Sequence, residues 1–189
     1  SGTMARQIDA GAPADVVLLA APVWMTWLRD RGAVQADAVV DLLGNSLVVI
    51  APADSNIAPD PADLAGALGD ARLAMGQRDA VPAGIYAREW LEVTGQWDAI
   101  APHLAETDNV RSALALVARA ETPLGVVYRT DALAEPQVRI LYDIPQETHS
   151  PITYPAAALT DSGAAFMAHL QSHDARAVFA RHGFKPLPE

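Results

Sequence analysis

The segment that narrows the fold most is a short apolar run followed, after a polar turn, by a helix led by proline. Arg72-Leu73-Ala74-Met75-Gly76 reads as a buried strand. Ala80-Val81-Pro82-Ala83-Gly84-Ile85-Tyr86-Ala87-Arg88-Glu89-Trp90-Leu91 then reads as a helix with apolar positions at Ile85, Trp90 and Leu91. Pro suits the first helical position, where its missing N–H would have no partner in any case. The residues after it are small, so nothing bulky covers the first-turn amides. Those amides and the helix dipole form an anion site that carries no formal charge. An ordinary βα turn has the same pattern, so these residues by themselves leave both readings open.

The rest of the chain repeats the alternation. Thr3 to Ala10 reads as a short helix carrying Met4 and Ile8, with Ser1 or Thr3 as its cap. Asp15 to Ala20 reads as a buried strand of parallel type, and Pro22 opens an amphipathic helix through Val23, Trp24, Trp27 and Leu28, closed by Gly32. Val39-Val40 and Leu47 to Ile50 are strand candidates, and Ala62 to Leu68 a helix. Gly95 breaks the Pro82 helix, and Trp97 to Leu104 reads as one further short helix. Thr107-Asp108-Asn109 offers caps for a helix over Val110 to Ala120. Val126 to Tyr128 and Val138 to Tyr142 read as strands. Thr153 to Leu159 reads as extended, with Pro155 suited to an edge or a strand start. Two helices follow, Ser162 to Gln171 and Ser172 to Arg181. Strands alternating with helices predict an α/β architecture with parallel sheet.

Composition excludes several classes. Of 189 residues, 51% are hydrophobic and 19% charged, which describes a folded chain with a sizeable core. The net charge of −10 argues against nucleic acid as a partner and against docking on an anionic membrane. It also means that an anion must be held by local donors. There is no Cys, hence no disulfide, thiolate chemistry or Cys-ligated metal. No apolar run is long enough to span a membrane, and none of these residues reads as a signal peptide.

Enzyme signatures are missing: there is no G-x-S-x-G elbow, P-loop or G-x-G-x-x-G. His169 and His173 lie at i, i+4, a possible metal pair, but Ser172 reads as a cap that breaks the helix between them. Glu89 and Glu92 read as a solvated helix face. Three helix N-termini are available to an oxyanion, at Ser1-Thr3, Pro82-Gly84 and Asn109-Arg111. A donor-only pocket suits a fully deprotonated oxyanion. Phosphate keeps a proton and needs an acceptor. Asp108 is the acid nearest a candidate site, and an outward capping role is its expected one.

Seven stretches carry a resemblance over essentially the whole chain. They are Ser1 to Ile8 with Gly11 to Val16, Leu42 to Val49, Val81 to Ala87, Asn109 to Val117, Gly125 to Tyr128, His149 to Pro155, and His182-Gly183-Phe184. The chain resembles the periplasmic molybdate-binding proteins, the substrate-binding subunits of molybdate ABC importers. The resemblance implies a type II periplasmic-binding-protein fold: two α/β domains, a hinge of two crossovers and a cleft between the domains. Domain one is then expected at 1–46 plus 154–189 and domain two at 47–153, with crossovers near Asn45 to Ala51 and Tyr142 to Pro155.

The resemblance further implies that the Ser1 hydroxyl, the Ala83 and Val110 amides and the Tyr128 hydroxyl bind molybdate or tungstate, with no cofactor and no resident metal. The partners it implies are the permease subunits of an importer, and the location is the periplasm. The family has a further strand, a Ser-containing loop and a helix ahead of Ser1, so a chain lacking them is expected to be N-terminally truncated and either to self-associate through the uncovered surface, or to lose tight anion binding, or both. Three alternatives remain: an effector-sensing domain of a transcription regulator, a binder of another oxyanion such as sulfate, and an enzyme on the same fold.

Overall fold

The computed structural model describes residues 1–187, so the last two residues of the expected 154–189 segment lie outside the described residues. In chain order the first elements are α1 (Gly2–Asp9), β1 (Val16–Leu18), α2 (Pro22–Asp30), β2 (Val39–Gly44), β3 (Leu47–Pro52) and α3 (Leu64–Leu68). Next come β4 (Leu73–Gly76), α4 (Pro82–Val93), α5 (Trp97–Ile100), β5 (Leu104–Thr107), α6 (Val110–Ala118) and β6 (Leu124–Tyr128). The last are α7 (Arg129–Leu133), β7 (Val138–Asp143), β8 (Thr153–Ala158), α8 (Asp161–Leu170), α9 (His173–Arg181) and β9 (Lys185–Pro186). Short 3-10 turns lie at Ala36–Ala38, Ala101–His103 and Gln146–Thr148. The chain divides into two compact units: Ser1–Asn45 with the segment from Ile152 onward, and Ser46–Pro151. Among the described residues no helix is long and apolar enough to cross a membrane.

The first unit is built on a sheet of order β1-β8-β2-β9. β1 pairs with β8 antiparallel, Val16 opposite Ala158, so the parallel type expected for Asp15 to Ala20 is not what forms. A three-residue apolar run carries no sign of strand direction, and here its neighbour comes from the far end of the chain. The edge position expected for Pro155 is also corrected, because β8 is paired on both sides. Its missing N–H falls opposite a bulge in β2 between Asp41 and Leu43, and its carbonyl accepts from the Leu19 N–H at 3.0 Å.

Ala5, Val17, Leu19, Met25, Leu28, Val34 and Ala157 form the core of this unit. Met4 and Val23, counted above among the apolar positions of their helices, are 52% and 65% exposed. Small Ala5 faces inward instead, and Gly2 lies so close to the Trp24 ring that no Cβ fits there. Ser172 caps α9, its hydroxyl accepting from the Ala175 N–H at 3.3 Å. The helix break expected there forms, and His169 and His173 fall on different helices.

The second unit carries a mixed sheet of order β5-β4-β6-β3-β7. β4 pairs in parallel with β5 and with β6, whereas β3 pairs antiparallel with β6 and β7. The expected parallel sheet is thus confined to β5, β4 and β6. The helix expected over Trp97 to Leu104 is shorter: it ends at Ile100, and β5 begins at Leu104. Of the four residues of β5 only Leu104 is buried, so the strand lacks the apolar run that marks β4. β3 is buried along its whole length, as expected of a central strand. Val48, Ile50, Ala74, Ala113, Leu114, Val117, Val127 and Val138 form the core between this sheet and α6.

Candidate anion site in the second unit

Because β5, β4 and β6 run parallel, their carboxyl ends lie along one edge of the sheet. Gly76 of β4 sits opposite Thr107 of β5, and the next amide, Gln77 N–H, still donates to the Thr107 carbonyl at 2.8 Å. α4 starts after the end of β4 and α6 after the end of β5, while Tyr128 is the last residue of β6. In open α/β sheets this carboxyl edge is where ligands bind. Ala83, Val110 and Tyr128 therefore all belong to one edge. Ser1 belongs to the first unit.

Each helix start is left open by its own sequence. Val81 is the N-cap of α4 in extended conformation and offers no side-chain oxygen. Pro82 has no N–H, and Gly84 and Ile85 donate to the Val81 carbonyl at 2.8 and 3.0 Å. Ala83, the second helical residue, keeps an N–H for which the helix has no acceptor. Gly84 explains how α4 comes so near the strand: a Cβ there would run into the Gly76 carbonyl oxygen and stand 2.5 Å from that of Gln77. In α6, the Asn109 carboxamide accepts from Ser112 N–H at 2.9 Å, which leaves the Val110 and Arg111 amides without intrahelical acceptors. The Thr107 hydroxyl bonds to the carbonyls of Asn109 (2.8 Å) and Met75 (3.3 Å), tying this corner to β4. Asn109 is the cap, and Asp108 is exposed beside it.

Tyr128 is buried and occupies the N-cap position of α7, with Leu47 opposite it on β3. In the first unit, Ser1 is the N-cap residue of α1, but its hydroxyl makes no cap bond. It accepts instead from the Ala20 N–H at 3.1 Å, which leaves its own proton to donate.

Fixed ion pairs surround the edge. Arg78 pairs with Glu106 at 2.8 Å, and hydrogen bonding from Arg78 holds the Glu106 carboxyl below its ordinary range. Arg111 pairs with buried Asp131 at 3.0 Å. Burial pushes the Asp131 carboxyl up, and Arg111 pulls it the other way. Glu89, expected on a solvated face, accepts from Ser150 N–H at 2.6 Å. Sequence reasoning missed Asp131, the Thr107 corner and the close approach at Gly84. A short Gly spaced from a preceding Gly-ended strand was the one available sign of the last.

The model of the bacterial extracellular solute-binding protein family matches residues 1–185. The chain belongs to that family. Curated relatives of this solute-binding protein include the molybdate-binding protein ModA of Escherichia coli, 42% identical over 97% of this chain and 75% of its own length. ModA of Haemophilus influenzae is 39% identical over the same shares. Among solved structures, the periplasmic molybdate-binding protein of Azotobacter vinelandii superposes with a TM-score of 0.84, covering 100% of this chain and 85% of its own, at 20% identity. That likeness establishes the type II periplasmic-binding-protein fold expected above. Members of such a family bind solutes and do not turn them over, so this chain is not an enzyme.

Proposed function

We propose that this solute-binding protein binds molybdate, and tungstate with it, and delivers the oxyanion in the periplasm to the permease of an ABC importer. The observation that carries the reading is the pair of open helix starts, Ala83 of α4 and Val110 of α6, on one carboxyl edge beside Tyr128. The 42% identity to a molybdate-binding protein over nearly the whole chain supports the choice of oxyanion. The ligand set proposed is the Ala83 and Val110 amides and the hydroxyls of Tyr128 and Ser1.

The chemistry is recognition by donors alone. Molybdate and tungstate present only acceptors near neutral pH, and backbone amides at helix starts match them without a counter-charge. Phosphate would bring a proton to a ligand set made of donors, with no carboxylate among them to accept it.

Calorimetric titration tests this directly, with molybdate, tungstate, sulfate and phosphate run on the same preparation. Saturable one-to-one binding of the first two is expected, with sulfate at least roughly 100-fold weaker. Equal affinity for sulfate, or binding of phosphate, would sink the assignment.

A further inference from the structure

We propose that Asp131 is a positioning residue of the anion site: by holding Arg111 it fixes the first turn of α6, and with it the Val110 amide, against the corner that carries Tyr128. The proposal rests on the reading of that site given above. Arg111 directly follows Val110, and Asp131 lies three residues beyond Tyr128, in α7. The bond between them, Arg111 Nε to Asp131 Oδ1 at 3.0 Å, therefore joins two ligand-bearing segments that come from different strands.

The burial of the pair is lopsided. The Asp131 side chain is 8% exposed and that of Arg111 is 73% exposed. A carboxylate withdrawn from water needs a partner, whereas an exposed guanidinium does not. Asp131 is thus the fixed member and Arg111 the one that is drawn in. One consequence follows for ligand choice: the cation in the first turn of α6 is already paired with a carboxylate, so recognition stays with the amides of that turn.

The test compares the wild-type chain with Asp131→Asn, Arg111→Met and the double variant. Two readouts are used: calorimetric affinity for molybdate, and amide exchange at Ser112 and Ala113 without ligand. Each single variant is expected to weaken molybdate binding roughly tenfold, the double variant no further, since neighbours acting as one unit are not additive. Exchange at Ser112 and Ala113, both bonded to Asn109, is expected to quicken in all three. Arg111→Lys, which keeps the charge, is expected to recover part of the affinity.

Tighter binding by Asp131→Asn would overturn the proposal, because it would make Arg111 a direct anion ligand that Asp131 restrains. Additive losses, or unchanged exchange, would overturn it as well. If the wild-type chain fails to bind molybdate, it is the functional reading that fails. The exchange arm then still decides whether the pair holds the α6 turn.

Discussion

Gly84→Ala is the most direct test of how the site is built. The new methyl would overlap the Gly76 carbonyl oxygen and stand 2.5 Å from that of Gln77. Both obstacles are backbone atoms at the end of β4, so neither rotates away. The first turn of α4 must retreat by something close to 1 Å to reach ordinary contact, an overpacking that costs about 1–3 kcal/mol. In a chain of 189 residues that lowers Tm by roughly 2–10 °C. The same retreat carries the Ala83 amide with it. A hydrogen bond near 2.9 Å stretched by about that much is no longer one. Losing one bond to a charged group is worth about 1.5–3 kcal/mol, or roughly 10- to 150-fold in Kd. Calorimetry with molybdate reads the affinity, and circular dichroism reads Tm. A Gly84→Ala protein with wild-type Tm and wild-type Kd would refute the close approach and the role of Ala83 together. A lower Tm with unchanged Kd would keep the packing and refute the ligand.

Other perturbations have equally definite outcomes. Tyr128→Phe removes one hydroxyl at the end of β6 and is expected to weaken molybdate binding roughly 10- to 100-fold while leaving Tm nearly unchanged. Full affinity would remove Tyr128 from the ligand set. Asn109→Ala deletes the cap of α6 and costs about 1 kcal/mol, a fall in Tm of roughly 2–4 °C on a melting curve. An unchanged midpoint would show the cap bond to be idle. The Glu106 carboxyl is held below its ordinary 4.5 chiefly by hydrogen bonding from Arg78, so its stabilisation is present above that value and is lost as pH falls through the lowered one. Glu106→Gln should therefore melt roughly 1–3 °C lower at neutral pH and converge with the wild type in acid. A gap that persists at low pH would assign the loss to something other than the charge.

The helix starts were legible in the chain because their signals are local. Pro82 at N1, the small residues after it and the Asn109 cap act within one turn, so neighbouring residues suffice to read them. The all-apolar run of β3 was legible for a similar reason: a strand covered on both faces needs no polar positions. β5 was not, because it sits at the sheet edge with one buried residue, and α7 was not, because five residues hold too little periodicity. Strand direction was equally hidden. β1 and β4 are both short apolar runs, yet one pairs antiparallel and the other in parallel.

By itself, then, the sequence determined where α4 and α6 begin, that β3 and β4 are buried, and that an anion would have to be met by local donors in a chain of net charge −10. Tertiary structure alone decided that Ala83, Val110 and Tyr128 share one edge, since that depends on three strands pairing in parallel across gaps of twenty or more residues. It alone set Arg111 against Asp131, because the burial that makes a carboxylate demand a partner comes into being only when α6 and α7 pack.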